Sequence, residues 1–270
     1  MHTSSRTRAV LLAMTFLASS CLPGSVLPGA RPAHADDSAY AGQLEAKAAT
    51  VVVLRIVTKV GEFESSSERM GTLIDRAGVI LSTGLGTPRG GMKMQLVSAR
   101  AVFPGDEKEY DAILGAFDSR LGLAFFQLKD AKARAFTWVD PDDVGDVKVG
   151  DELFGVSRLE DGFDYAPYYG TVRVLGAVKK PREMWIPSSS WALSSPLFTA
   201  AGKMAGVMIQ QQGVSEGPRW SKPFLLPASV AKGVIAQGVK ASAKALEDLK
   251  SKESAGEGGD GDGKADSQGK

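Results

Sequence analysis

Histidine and cysteine are nearly missing from this chain of 270 residues: its two histidines, His2 and His34, and its one cysteine, Cys21, all lie at or before position 34. Beyond that point there is neither imidazole nor thiol. Zinc sites of the usual His and Cys kinds, disulfides, and Cys-His or Ser-His-Asp catalysis are therefore excluded from the remainder. A calcium cage of carboxylates needs neither group, but no loop has its ligand spacing. "GTPRGGMKM", Gly86 to Met94, is glycine-rich yet lacks the Gly-Lys-Ser/Thr ending of a phosphate loop. No metal and no cofactor are expected. Charge of one sign is also scarce, with 32 basic residues against 31 acidic ones, so nothing marks a nucleic-acid partner.

Long apolar runs are absent after the first residues, and no transmembrane segment is expected. The exception is Ala9 to Ala18, behind Arg6 and Arg8, which is too short for a permanent span and reads as a secretory signal. Cleavage after Ala35, at "AHA", fits the acidic start that follows. Cys21 in "LASSC" offers a second exit, with a lipid anchor on that cysteine. Either way the protein is expected to be exported, to the periplasm or the extracellular space. Removing residues 1 to 35 takes Arg6, Arg8 and Arg31 and no acid, leaving a slight acidic excess.

What is present is a Val, Leu, Ile, Gly and Ala-rich stretch from Asp36 to Lys250, long enough to bury one or two cores. Short apolar runs between turn residues predict strands: Thr50 to Val57, Met70 to Asp75, Gly78 to Thr83, Met94 to Ala99, Tyr110 to Phe117 and Leu121 to Leu128. A second group comprises Asp151 to Ser157, Tyr169 to Val178, Glu183 to Ile186, Lys203 to Gln211 and Lys222 to Pro227. Helices are expected only at the ends. One is a short helix near Tyr40 to Thr50. The other covers Pro227 to Lys250, with Val230, Val234, Ile235 and Val239 at helical spacing, weakened by Gly233 and Gly238, and is expected to close one barrel. Residues 251 to 270 have no branched apolar or aromatic side chain and read as a disordered tail.

Six segments in order resemble the trypsin-like domain of Deg/HtrA-type serine proteases. "MGTLIDRAGVILSTG" resembles the strand pair leading to the family histidine, and "YDAILGAFDSRLGLAFFQLK" the pair carrying the family aspartate. "VKVGDELFGVS" and "GTVRVLGAV" resemble the strands that follow. "WALSSPLFTAAGKMAGVMI" resembles the serine loop, and "FLLPASVAKGVI" the closing strand and helix. The resemblance implies an all-β fold of two six-stranded antiparallel β-barrels with a C-terminal helix, the N-terminal barrel over 36–130 and the C-terminal one over 131–250. No segment resembling a PDZ domain is expected after them.

Carried over one position at a time, the family histidine falls on Leu85, or on Gly84 if the register slips by one. The aspartate falls on Gly122 and the serine on Leu193. None of these side chains can attack a carbonyl or move a proton. Trp191 stands where the family has an oxyanion-hole glycine. Asp118 matches a family aspartate outside the triad and is expected to organise a turn. The resemblance thus implies a pseudoprotease, not an enzyme, that binds a protein or extended peptide.

Trp191 and Leu193 either line a partner pocket or fill the old cleft, and Tyr165, Tyr168 and Tyr169 in "DGFDYAPYYG" either meet a partner or cover a barrel end. Gln210 to Gln212 end the strand whose edge pairs with substrate in active relatives, so edge pairing with an extended peptide is a further expectation. Two other functions stay open: a hydrolase pairing Ser194 or Ser195 with a lysine of lowered pKa, and a structural envelope lipoprotein held by Cys21.

Overall fold

The computed structural model describes residues 37–83, 94–191, 193–213 and 220–256. Twelve strands form two closed barrels. The first contains β1 (Val51–Val60), β2 (Phe63–Asp75), β3 (Val79–Thr83), β4 (Met94–Val102), β5 (Glu109–Asp118) and β6 (Leu123–Leu128), hydrogen-bonded in the order β1-β2-β3-β6-β5-β4. The second contains β7 (Glu152–Arg158), β8 (Pro167–Val178), β9 (Met184–Pro187), β10 (Pro196–Phe198), β11 (Met204–Gly213) and β12 (Trp220–Pro227). Its order, β7-β8-β9-β12-β11-β10, repeats that of the first barrel. Every strand pairing is antiparallel. The expected all-β double barrel is therefore the fold.

Alternation explains why several strands are apolar on both faces. In β6, Ala124, Phe126 and Leu128 point into barrel one, while Leu123 and Phe125 join the cluster between the barrels. In β1 the same division sends Val52, Leu54 and Ile56 inward and Val51 outward. The one polar side chain of β6, Gln127, is buried but donates to the carbonyls of Ala77 and Leu128, which removes the penalty of an unpaired amide.

The terminal helices cross over. α1 (Asp37–Ala48) precedes barrel one but packs on barrel two, with the Tyr40 ring 5.1 Å from that of Phe154 and 5.8 Å from that of Tyr169. α2 (Ala228–Gly256) leaves barrel two and lies on β5 and β6 of barrel one. It straps the two barrels together instead of closing one, and it continues past Lys250 into the segment expected to be tail. Its fully buried face is Ala228, Ala231, Ile235, Gly238 and Ser242, while Val230, Val234 and Val239 are only partly buried. Small residues allow this: a β-carbon on Gly238 would lie 2.6 Å from Cζ of Phe125, and one on Gly115 only 2.5 Å from Cα of Ser242.

The chain passes between barrels later than position 131. Val139 still donates its N–H to the Leu73 carbonyl of barrel one, and the Asp143 carbonyl already accepts from the Met204 N–H of barrel two.

Candidate functional site

The loop 191–195 approaches β11 and is fixed to it by two backbone bonds. Ser194 N–H donates to Met208 O at 2.6 Å, and Met208 N–H to Ser195 O at 3.1 Å. Ser194 has φ +62°, a left-handed conformation uncommon for residues other than glycine, asparagine and aspartate. Both serines are buried, whereas Leu193 is half-buried.

On the opposite flank, Asp118 organises the β5–β6 turn as expected. Its Oδ1 accepts from the N–H groups of Arg120 and Leu121. Gly122 follows at φ +67°, where an added β-carbon would lie 3.7 Å from the Gln210 carbonyl oxygen. Gly122 and Ser194, the residue after Leu193, thus flank one strand, with Ser194 beside Met208 and Gly122 beside Gln210. Leu85 and Gly84 lie outside the described residues.

The chemistry of this corner is limited by which groups are free. Were Ser194 the nucleophile, its own N–H would be needed to stabilise the tetrahedral oxyanion. That N–H is already spent on Met208. Among the described residues no lysine hydrogen-bonds either serine hydroxyl. Lys47, whose pKa burial lowers, stands instead over the Phe198 ring at 4.5 Å with Asp143 as its countercharge. The Ser-Lys arrangement has no geometric support.

Trp191 fills a slot in barrel two. Its indole lies across Gly155 of β7 and Gly170 of β8, which are partners in the ladder. A β-carbon on Gly170 would sit 2.6 Å from Trp191 Cε2, and one on Gly155 3.2 Å from Cη2. Two glycines facing each other across the sheet thus make room for a flat ring. The ring packs on the interior of barrel two, beside Leu153, Val172 and Leu197. Its outer edge meets Tyr168 edge-on at 6.0 Å between centroids, a favoured aromatic geometry.

The tyrosines of "DGFDYAPYYG" go to three places. Tyr168 remains exposed and belongs with Trp191. Tyr169, on the other face of β8, is half-buried beside Tyr40. Tyr165 is buried against Val53 and Val102 of barrel one, and its hydroxyl accepts from Arg55 Nη2 at 3.0 Å. It sits at φ +50°, a strain of about 1–2 kcal/mol that this contact between the barrels offsets. So Trp191, Leu193 and Tyr168 share one region, and Tyr165 and Tyr169 are packing residues. Sequence reasoning missed the partners of Trp191. Their signal was a glycine at matched positions of two adjacent strands, legible only once the register is known.

Beyond Met208, β11 continues its pairing with β12, while among the described residues β10 pairs with it no further than Val207. Among the described residues no strand pairs with β11 on that side at Ile209 and Gln210.

No protein-family model and no curated protein matches the chain. Among solved structures it is similar to the MamO protease domain from Magnetospirillum magneticum in its apo form, with 15% identity and a TM-score of 0.46, covering 71% of this chain and 96% of that one. The strand connectivity, independent of that likeness, defines the double barrel.

Proposed function

We propose that this protein is an exported pseudoprotease: a trypsin-like double barrel without hydrolytic activity that holds a protein or an extended peptide. The observation that carries this reading is the seating of Trp191 across Gly155 and Gly170. The loop that would form an oxyanion hole is committed to filling barrel two. The spent N–H of Ser194 and the absence of histidine after His34 support the same reading. Binding would use the β11 edge at Ile209 and Gln210, where backbone groups can pair with an added strand, and the exposed Tyr168 ring beside Trp191.

Unfolded, fluorescently labelled casein tests both halves of the proposal. Anisotropy should rise on mixing, and gel electrophoresis after prolonged incubation should show intact casein. Time-dependent fragments that disappear in a Ser194→Ala variant would overturn it.

A further inference from the structure

A second concave site lies away from the serine loop, where the two barrels and the end of α1 meet. It is a cavity of about 500 Å3, within the size range of small-molecule sites. Val51, Phe103 and Phe136 supply apolar walls and Thr137 a hydroxyl, and among the described residues Arg134 and Arg158 are the only charged side chains, with no carboxylate in the lining.

The two arginines differ in what neutralises them. Arg134 is paired with Asp106 at 2.5 Å and lies over the Phe103 ring at 4.3 Å. Arg158 forms no ion pair among the described residues. Its Nε, Nη1 and Nη2 donate to the carbonyls of Val51, Tyr165 and Ala48. Those three bonds tie barrel one, the tyrosine loop and the end of α1 together, but carbonyls supply dipoles, not charge. Each η nitrogen also keeps one N–H beyond the bond it makes. Burial disfavours the charged guanidinium and pushes its pKa down, and a half-buried charge of this kind ordinarily has a counter-ion.

We propose that this cavity binds a carboxylate carried on an apolar body, its charge met by Arg158 and its body lying against Phe103 and Phe136. One uncompensated positive charge matches one negative charge, and the apolar walls have no use for a second. The carboxylate comes either from a small organic acid or from the C-terminus of a polypeptide. The proposal does not depend on the pseudoprotease reading.

Calorimetric titration of the full-length protein tests it with four probes: 3-phenylpropionate, its amide, alanyl-phenylalanine, and that dipeptide amidated. At least one acid is expected to bind about tenfold tighter than its amide, the loss of a charged hydrogen bond. Preference for phenylpropionate points to a small molecule, and preference for the dipeptide to a polypeptide end. Arg158→Gln should equalise acid and amide. Because Arg158 also clasps the barrels, Ala135→Trp provides a second variant, filling the cavity from an exposed lining position, and it should abolish binding while the circular dichroism is unchanged. Equal affinity of acids and amides, no acid binding at millimolar concentration, or undiminished binding in Ala135→Trp would overturn the proposal.

Discussion

Barrel one fills its interior with Leu54, Ile56, Leu73, Ile80 and Phe126, all buried, and packs Phe136 from the segment after β6 against them, whereas barrel two contains fewer buried apolar groups among the described residues and takes Trp191 from a loop to complete its packing. The strand order is the same in both, so the difference lies in what one loop does. In barrel two the loop before β10 places Trp191 in the core. Burial of that ring stabilises the barrel that receives it.

Truncations in the two barrels should differ accordingly. Phe126→Ala removes a fully buried ring from the core of barrel one and should cost about 3–5 kcal/mol in chemical denaturation. Trp191→Ala should cost less, about 2 kcal/mol, because one edge of the indole already faces solvent. Equal losses would mean that Trp191 is as integral to barrel two as Phe126 is to barrel one. A loss within error would return Trp191 to the status of a surface residue. Gly155→Ala should reproduce part of the Trp191 effect, about 1–2 kcal/mol, since the new methyl collides with the indole and with Leu197 Cδ2 at 2.7 Å. Combined with Trp191→Ala it should cost less than the sum of the two.

Acid offers a further contrast. In barrel one, hydrogen bonds from the Lys108 N–H and the Tyr110 hydroxyl, together with Arg134, hold the Asp106 carboxyl below its ordinary pKa. Arg55 and Arg100 do the same for Glu109. A depressed native pKa stabilises the fold above the unfolded value, near pH 4, and that contribution disappears as pH falls through the native value. Amide exchange in β4 and β5 should therefore accelerate as pH is lowered below about 4, after correction for the intrinsic rate. The effect should be modest because these pairs reach solvent. Smallest of all, Ser242→Ala should be neutral or slightly stabilising in thermal melts, since the Ser242 hydroxyl is buried without a partner.

Much of the fold was legible before any coordinates. Alternating apolar runs located most strands to within a few residues, because a strand's pattern is local, but β2 begins at Phe63, well before the apolar run at Met70, since Glu64 to Arg69 carry no apolar side chain. The three-residue β10 was too short to carry a period of its own. α2 was legible as a helix but not in its docking: Gly238 counted against it by propensity, yet the missing side chain is what seats the helix on Phe125. The valines that suggested its buried face turn out to flank it, since close approach to a sheet favours small residues over large ones. At the candidate site the fate of Trp191 could not be read from the sequence. That depends on Gly155 and Gly170 meeting across β7 and β8, a pairing between residues distant from the loop. Tyr165 resembled a contact residue for the same reason, until the structure placed it against the other barrel.

Intact-mass spectrometry of the purified protein after incubation with a fluorophosphonate probe tests the central claim most directly, because such probes capture a serine only when neighbouring groups activate it. An unchanged mass is expected, with Ser194 and Ser195 unmodified in the peptide map. Stoichiometric addition of the phosphonyl group to either serine would contradict the account.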